Sequence, residues 1–247
     1  IDFNVMRIDD GNLRAEVSNF LDDLREINQN GGDLSVTIVL PTQSLIPSSE
    51  YRNFVREVSV QYGDLVTGFE LGNEYSLGAR NPDTLFSGHP EGAAVRPTQF
   101  GISEKTYGQQ VQRIAVAVEQ GISLATNDQP QLLNDYDPDI LMQMSDIVGA
   151  SSSFRGTNDH GAADMAILSQ ISSTVMGYID GFVGHYYYND NHQDSEAFDG
   201  LWRETRSFPE RIDSWHDSLR ERFGSSFSNK DLSFTEWNTN IRTHDQH

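Results

Sequence analysis

From Leu13 onward the apolar residues fall at Leu13, Val17, Phe20, Leu21, Leu24 and Ile27, the three-and-four spacing of one helix face. The run Asn30-Gly31-Gly32 then reads as a stop. Ahead of this helix, FNVMRID (Phe3–Asp9) alternates as a strand does. After it, LSVTIVLPT is a β-branched apolar run, which reads as a strand buried on both faces. The cycle repeats. SSEYRNFVREVSVQYG predicts a helix capped by Ser48 or Ser49 and ended by Gly63, and LVTGFELGNE predicts another strand. A Pro/Gly-rich loop from Arg80 to Gly101 interrupts the rhythm.

Further along, SEKTYGQQVQRIAVAVEQG predicts a helix from Ser103, its cap, to Gly121, and ISLATND a short strand. PDILMQMSDIV reads as a helix and VGASSS as a strand end. AADMAILSQISSTVMGY predicts a helix, IDGFVGHYYY a strand, FPERIDSWHDSLRERFG a helix and LSFTEWN a last strand. There is no repeat, low-complexity tract or linker, so residues 1–247 are read as one α/β domain. Strands alternating with helices suit a (β/α)8 TIM barrel, for which about 250 residues is usual. Fewer than eight units are visible, so the barrel is expected to be incomplete in this chain. A doubly wound open sheet is the structural alternative.

Composition narrows the partners. Net charge is −20 and lysine occurs only at Lys105 and Lys230, a surface that repels nucleic acid and anionic membranes. No apolar run reaches the length of a membrane span. The chain starts at Ile1, as an excised segment would, and further strands or domains of a longer protein are expected partners. An extracellular or periplasmic setting is favoured. With no cysteine, disulfides, thiol catalysis and zinc–thiolate sites are excluded.

In parallel α/β folds chemistry sits at the carboxyl ends of strands. Three predicted ends concentrate polar groups: Asn73-Glu74, His185-Tyr186-Tyr187-Tyr188-Asn189, and Thr235-Glu236-Trp237-Asn238. Two carboxylates are the minimum for glycoside hydrolysis, one protonated to serve the leaving oxygen and one ionised. Trp237 and the Tyr cluster offer flat rings for the C–H face of a sugar, and Asn73 an amide for a hydroxyl. A single strand-end glutamate is more often just solvated. Asp135, Asp137 and Asp139 resemble the start of a calcium loop, but Ile140 stands where glycine is required. Asp190, His192, Asp194 and Glu196 lack metal-ligand spacing. No serine-nucleophile elbow or phosphate loop occurs. No metal or cofactor is expected.

The segment FELGNE resembles the acid/base strand of retaining glycoside hydrolases of clan A, the four/seven superfamily. LSFTEWN is similar to its strand seven, GFVGHYYYND to strand six, and VMRI to strand two. With KTYGQQVQRI, these segments look most like the heparanase-like branch. The resemblance implies a barrel of which strands 2–7 are present, with Glu74 as general acid/base and Glu236 as nucleophile. It implies Asn73 as ligand of the 2-hydroxyl, and Arg7, His185 and Tyr187 as groups orienting nucleophile or sugar. Trp237 and Asn238 complete the expected substrate-binding set. The expected activity is retaining hydrolysis of β-glycosidic bonds in an oligo- or polysaccharide. A non-catalytic carbohydrate-binding or scaffold module of the same ancestry is the alternative. An unrelated open sheet, with the two glutamates facing no common cleft, is a third.

Overall fold

The structure, a computed structural model, describes residues 12–42, 46–72, 102–131, 135–144, 160–190, 213, 215–225 and 230–241; for 160–161, 185–190 and 231–241 the backbone alone is described. The expected strand around Arg7, the pair Asn73-Glu74, the Arg80–Gly101 loop and VGASSS lie outside the described residues.

The elements run α1 (Ala15–Gln29), β1 (Val36–Leu40), α2 (Ser48–Tyr62), β2 (Val66–Leu71), α3 (Glu104–Asp128) and β3 (Asp139–Gln143). Then follow α4 (His160–Leu168), α5 (Ser173–Tyr178), β4 (Gly181–Asp190), a helix α6 over 215–223, and β5 (Asp231–Ile241). All four strand pairings are parallel, and the spatial order β1-β2-β3-β4-β5 is the chain order. A doubly wound sheet reverses direction at a switch point. Among the described strands there is no reversal, so the sheet is singly wound, as in one arc of a barrel.

Side chains alternate across this sheet. Ile38, Leu40, Phe69, Leu71, Ile140, Met142 and Phe182 join the core under the helices, together with Tyr51, Phe54 and Tyr107. Fully burying a side chain of the Phe or Leu class contributes about 1.5–3 kcal/mol, so this layer carries much of the stability. Glu70, Leu141, Gln143 and Val183 alternate to the opposite face, and they too are buried. Burial on both faces is why the centres of β2 and β3 read as continuous runs, whereas in β1 Thr37 is exposed.

Local chemistry fixes the helix ends. Ser103 caps α3, its side chain accepting the Thr106 amide, as expected. At α2 the cap position is Pro47, and neither Ser48 nor Ser49 caps it through a side chain. Ser48 Oγ instead takes the Arg113 guanidinium at 3.1 Å, and the same Arg113 nitrogen donates to Ile46 O at 2.6 Å. The cation thus ties α3 to the start of α2. Arg25 ties α1 to the end of α2, pairing with Asp64 and lying 4.6 Å from the Tyr62 ring centroid.

Four expectations are corrected. ISLATND is not a strand but the last turns of α3. Gly121 reads as a stop, yet it is a contact point: a Cβ there would lie 2.8 Å from Arg52 O and from Val55 Cβ of α2, so only glycine lets the two helices approach so closely. In PDILMQMSDIV the described part, 138–144, is not helical: Asp139–Gln143 is β3. Short apolar runs look alike in either state, and here pairing with β2 and β4 decides. AADMAILSQISSTVMGY is split into α4 and α5, because Ser172 accepts the Val175 amide and starts a new helix.

Candidate active site

Two of the three polar strand ends meet at the carboxyl edge of the sheet. β4 and β5 pair over ten positions, and this ladder sets His185 opposite Glu236, Tyr186 opposite Trp237 and Tyr187 opposite Asn238. The ladder shifts register between Gly184 and His185: Gly184 faces Phe234, yet His185 faces Glu236 and skips Thr235. Without that extra residue Thr235 would stand opposite the histidine. A bulge of this kind re-aims the residues beyond it, and bulges concentrate beside active sites. Four of the expected site residues, His185, Tyr187, Glu236 and Asn238, are therefore brought together, with Trp237 between them in the chain.

Asn73, Glu74 and Arg7 lie outside the described residues. The approach to the first two is visible as far as Gly72, at the end of β2, with β3 and β4 between β2 and β5. Gly72 has φ +99, a conformation side-chain-bearing residues rarely adopt. A Cβ at this position would lie 2.8 Å from Tyr107 Cε2 and 3.0 Å from Thr42 Oγ1. The glycine of FELGNE is thus demanded twice, by backbone geometry and by the tyrosine ring against it.

Tyr107 comes from α3 and is fully buried. Its hydroxyl donates to Leu71 O at 2.5 Å and accepts the Gln143 amide at 3.0 Å. Leu71 and Met142 are partners in the parallel ladder, in which the next amide bonds the partner's carbonyl. The hydroxyl occupies that place. On its other side β2 stays joined to β1, Gly72 N donating to Leu40 O at 3.1 Å. Burial, and after it the nearby Glu70 charge, push the Tyr107 phenol well above its ordinary range, while the Gln143 amide acts the other way. The group is a neutral hydrogen-bonding hydroxyl at any working pH.

Two further polar side chains stand at these strand ends. Gln143 is 1% exposed and both ends of its amide lack a hydrogen bond, as does the buried Thr42 hydroxyl. A buried polar group left so costs about 1–3 kcal/mol. Sequence reasoning missed Tyr107, Gln143 and Glu70. Tyr107 sits in register with Val111, Ile114 and Val118 on the buried face of α3, so the pattern marks it as core and gives no sign of where its hydroxyl goes. Among the described residues, no group of three or more His, Asp or Glu side chains is placed to hold a metal ion. No described helix is long and apolar enough to cross a membrane.

The fold has a relative. A solved structure of AbfB, a family 51 α-L-arabinofuranosidase from Bifidobacterium longum, superimposes with a TM-score of 0.51 at 15% identity. The match covers 89% of this chain and 37% of that one, so this chain spans well under half the length of the arabinofuranosidase. At that identity the likeness is one of fold: a parallel α/β arrangement shared with a glycoside hydrolase. No protein-family model and no curated protein sequence matches the chain.

Proposed function

We propose that this chain carries the catalytic face of a retaining glycoside hydrolase of clan A, on a barrel of which the five described strands are the third to seventh. The observation that supports it most is the register shift placing Glu236 opposite His185 at the carboxyl end of adjacent parallel strands. The strand order supports it too: β2, which leads to Glu74, and β5, which carries Glu236, are three apart, as a four/seven layout requires. The arabinofuranosidase is a glycoside hydrolase, and its fold similarity supports the broad assignment. The heparanase-like branch rests on the sequence motifs alone.

In this reading Glu74 is the general acid/base and Glu236 the nucleophile. Glu236 attacks the anomeric carbon while Glu74 gives its proton to the leaving oxygen. Water, deprotonated by Glu74, then releases the sugar with its configuration retained. Asn73 binds the hydroxyl next to the reacting carbon, and Arg7, His185 and Tyr187 hold nucleophile and sugar in place. Trp237 and Asn238 complete the sugar site. Further segments of a longer protein would close the barrel.

The test is a screen of aryl β-D-glucosides, glucuronides, xylosides and galactosides together with α-L-arabinofuranosides. Product configuration is read by NMR. Glu74→Gln and Glu236→Gln are each expected to abolish turnover of the cleaved glycoside while circular dichroism stays unchanged. Azide is expected to rescue Glu236→Ala as a glycosyl azide of inverted configuration. Near-normal activity in both Gln variants, or an inverted hydrolysis product in the wild type, refutes the assignment.

A further inference from the structure

We propose that Tyr107 is a positioning residue for the acid/base: its hydroxyl, inserted between β2 and β3, holds the end of β2 apart from its neighbour and sets the backbone from which Asn73 and Glu74 follow. The proposal rests on the reading of Glu74 as the acid/base. Three observations carry it. The hydroxyl bridges Leu71 O and Gln143 N, replacing a direct ladder bond at the last turn of the pairing. The ring packs against Gly72, its Cε2 2.8 Å from where a Cβ would lie, so the glycine cannot move toward α3. Gly72 N remains bonded to Leu40 O, so β2 is held on one side and wedged on the other. The inserted oxygen widens the gap between the strands by roughly one hydrogen-bond length.

The residue touches no reacting atom; it acts through Gly72. Removing the hydroxyl lets Gln143 N bond Leu71 O directly and zips β2 to β3 by one more step. The end of β2 then shifts toward β3, and an acid group carried two residues later is displaced from the leaving oxygen. A displacement of about 1 Å is enough to cost a hundredfold in a positioned step. The nucleophile on β5 is two strands from β3 and is not moved.

This asymmetry gives the test. Leaving groups of low pKa, such as dinitrophenolate, depart without a proton, whereas methylumbelliferyl or phenyl leaving groups need the acid. Tyr107→Phe is expected to lower kcat/KM for the phenyl glycoside at least about tenfold more than for the dinitrophenyl glycoside. Glu74→Ala should show the same sign with a larger split. Tyr136→Phe, which removes a half-buried hydroxyl and its bond to Ser59 Oγ, serves as the control and should show no split. Gly72→Ala, assayed at low temperature, reaches the same point from the other side and should reproduce the split. Equal loss on both substrates in Tyr107→Phe and Gly72→Ala, with the split present in Glu74→Ala, overturns the proposal alone. Absence of the split in Glu74→Ala overturns the acid/base reading instead.

Discussion

Replacing Gly72 by alanine adds one methyl group where the structure has no room and no suitable backbone. The φ of +99 is the first cost, about 1–2 kcal/mol for a residue with a Cβ. The second is steric. The new carbon would lie 2.8 Å from Tyr107 Cε2 and 3.0 Å from Thr42 Oγ1, both on buried residues, and overpacking of that kind costs about 1–3 kcal/mol. The expected loss is therefore about 2–5 kcal/mol, set by the same two sources. Urea unfolding followed by circular dichroism measures it. The ring's share of the steric part can be isolated by making the same change in a Tyr107→Ala background, where the ring is gone while the backbone strain and the Thr42 contact remain. The cost of Gly72→Ala should then fall by about 1–3 kcal/mol, the coupling expected of residues in contact. A loss below about 1 kcal/mol for Gly72→Ala, or the same loss in both backgrounds, would refute the argument that ring and glycine are fitted to each other.

Other outcomes are equally checkable. Glu236→Gln should lower kcat by at least about a thousandfold on the cleaved aryl glycoside, measured by chromophore release, with urea stability little changed. Burial, then Asp137 and Asp180, raise the Glu119 pKa above its ordinary 4.5, so the folded state holds that proton more tightly than the unfolded chain. The stabilisation this gives is complete below the ordinary value and is lost as pH rises through the raised one. Glu119→Gln should accordingly gain stability relative to wild type between pH 4 and pH 7, by less than about 1 kcal/mol for so exposed a group; a constant difference across that range would count against the burial argument. Arg25→Met should cost no more than about 1 kcal/mol and lose part of that in high salt, since the Arg25–Asp64 pair is exposed, and a salt-independent loss would show packing on Tyr62 to be the larger effect.

How far the sequence carries can be seen residue by residue. The β-branched run of β1 and the GFVGHYYY and LSFTEWN segments announce strands because short runs of apolar, β-branched and aromatic residues favour the extended chain. Glu236 and His185 were both legible as candidate residues, each at a strand end; their pairing was not, since it depends on one extra residue in β5. DILMQ is five residues long and carries no period that separates strand from helix. Gly121 looked like punctuation because a stop and a helix–helix contact both call for the smallest residue. Phe20 and Ile27 share the helical spacing of α1 but stand 56% and 49% exposed, Val17 and Leu21 alone of that stripe being buried within the helix. The Tyr107 hydroxyl was invisible for another reason. Periodicity reports which side of a helix faces inward and says nothing about what a long side chain reaches there.

The identity of spatial and chain order across β1 to β5 has a consequence for how the protein is made. Synthesis delivers a chain from its amino end, and domains tend to fold as their parts emerge. In a sheet that reverses direction, an early strand waits for a partner still unmade. Here each newly emerged strand finds the edge of its immediate predecessor already standing. Each strand pairs with the one just before it in the chain, so the loops to be closed are shorter than in a reordered sheet and their entropic cost is lower. Growth at a single advancing edge leaves, at every stage, one exposed strand with its next occupant already following from the ribosome.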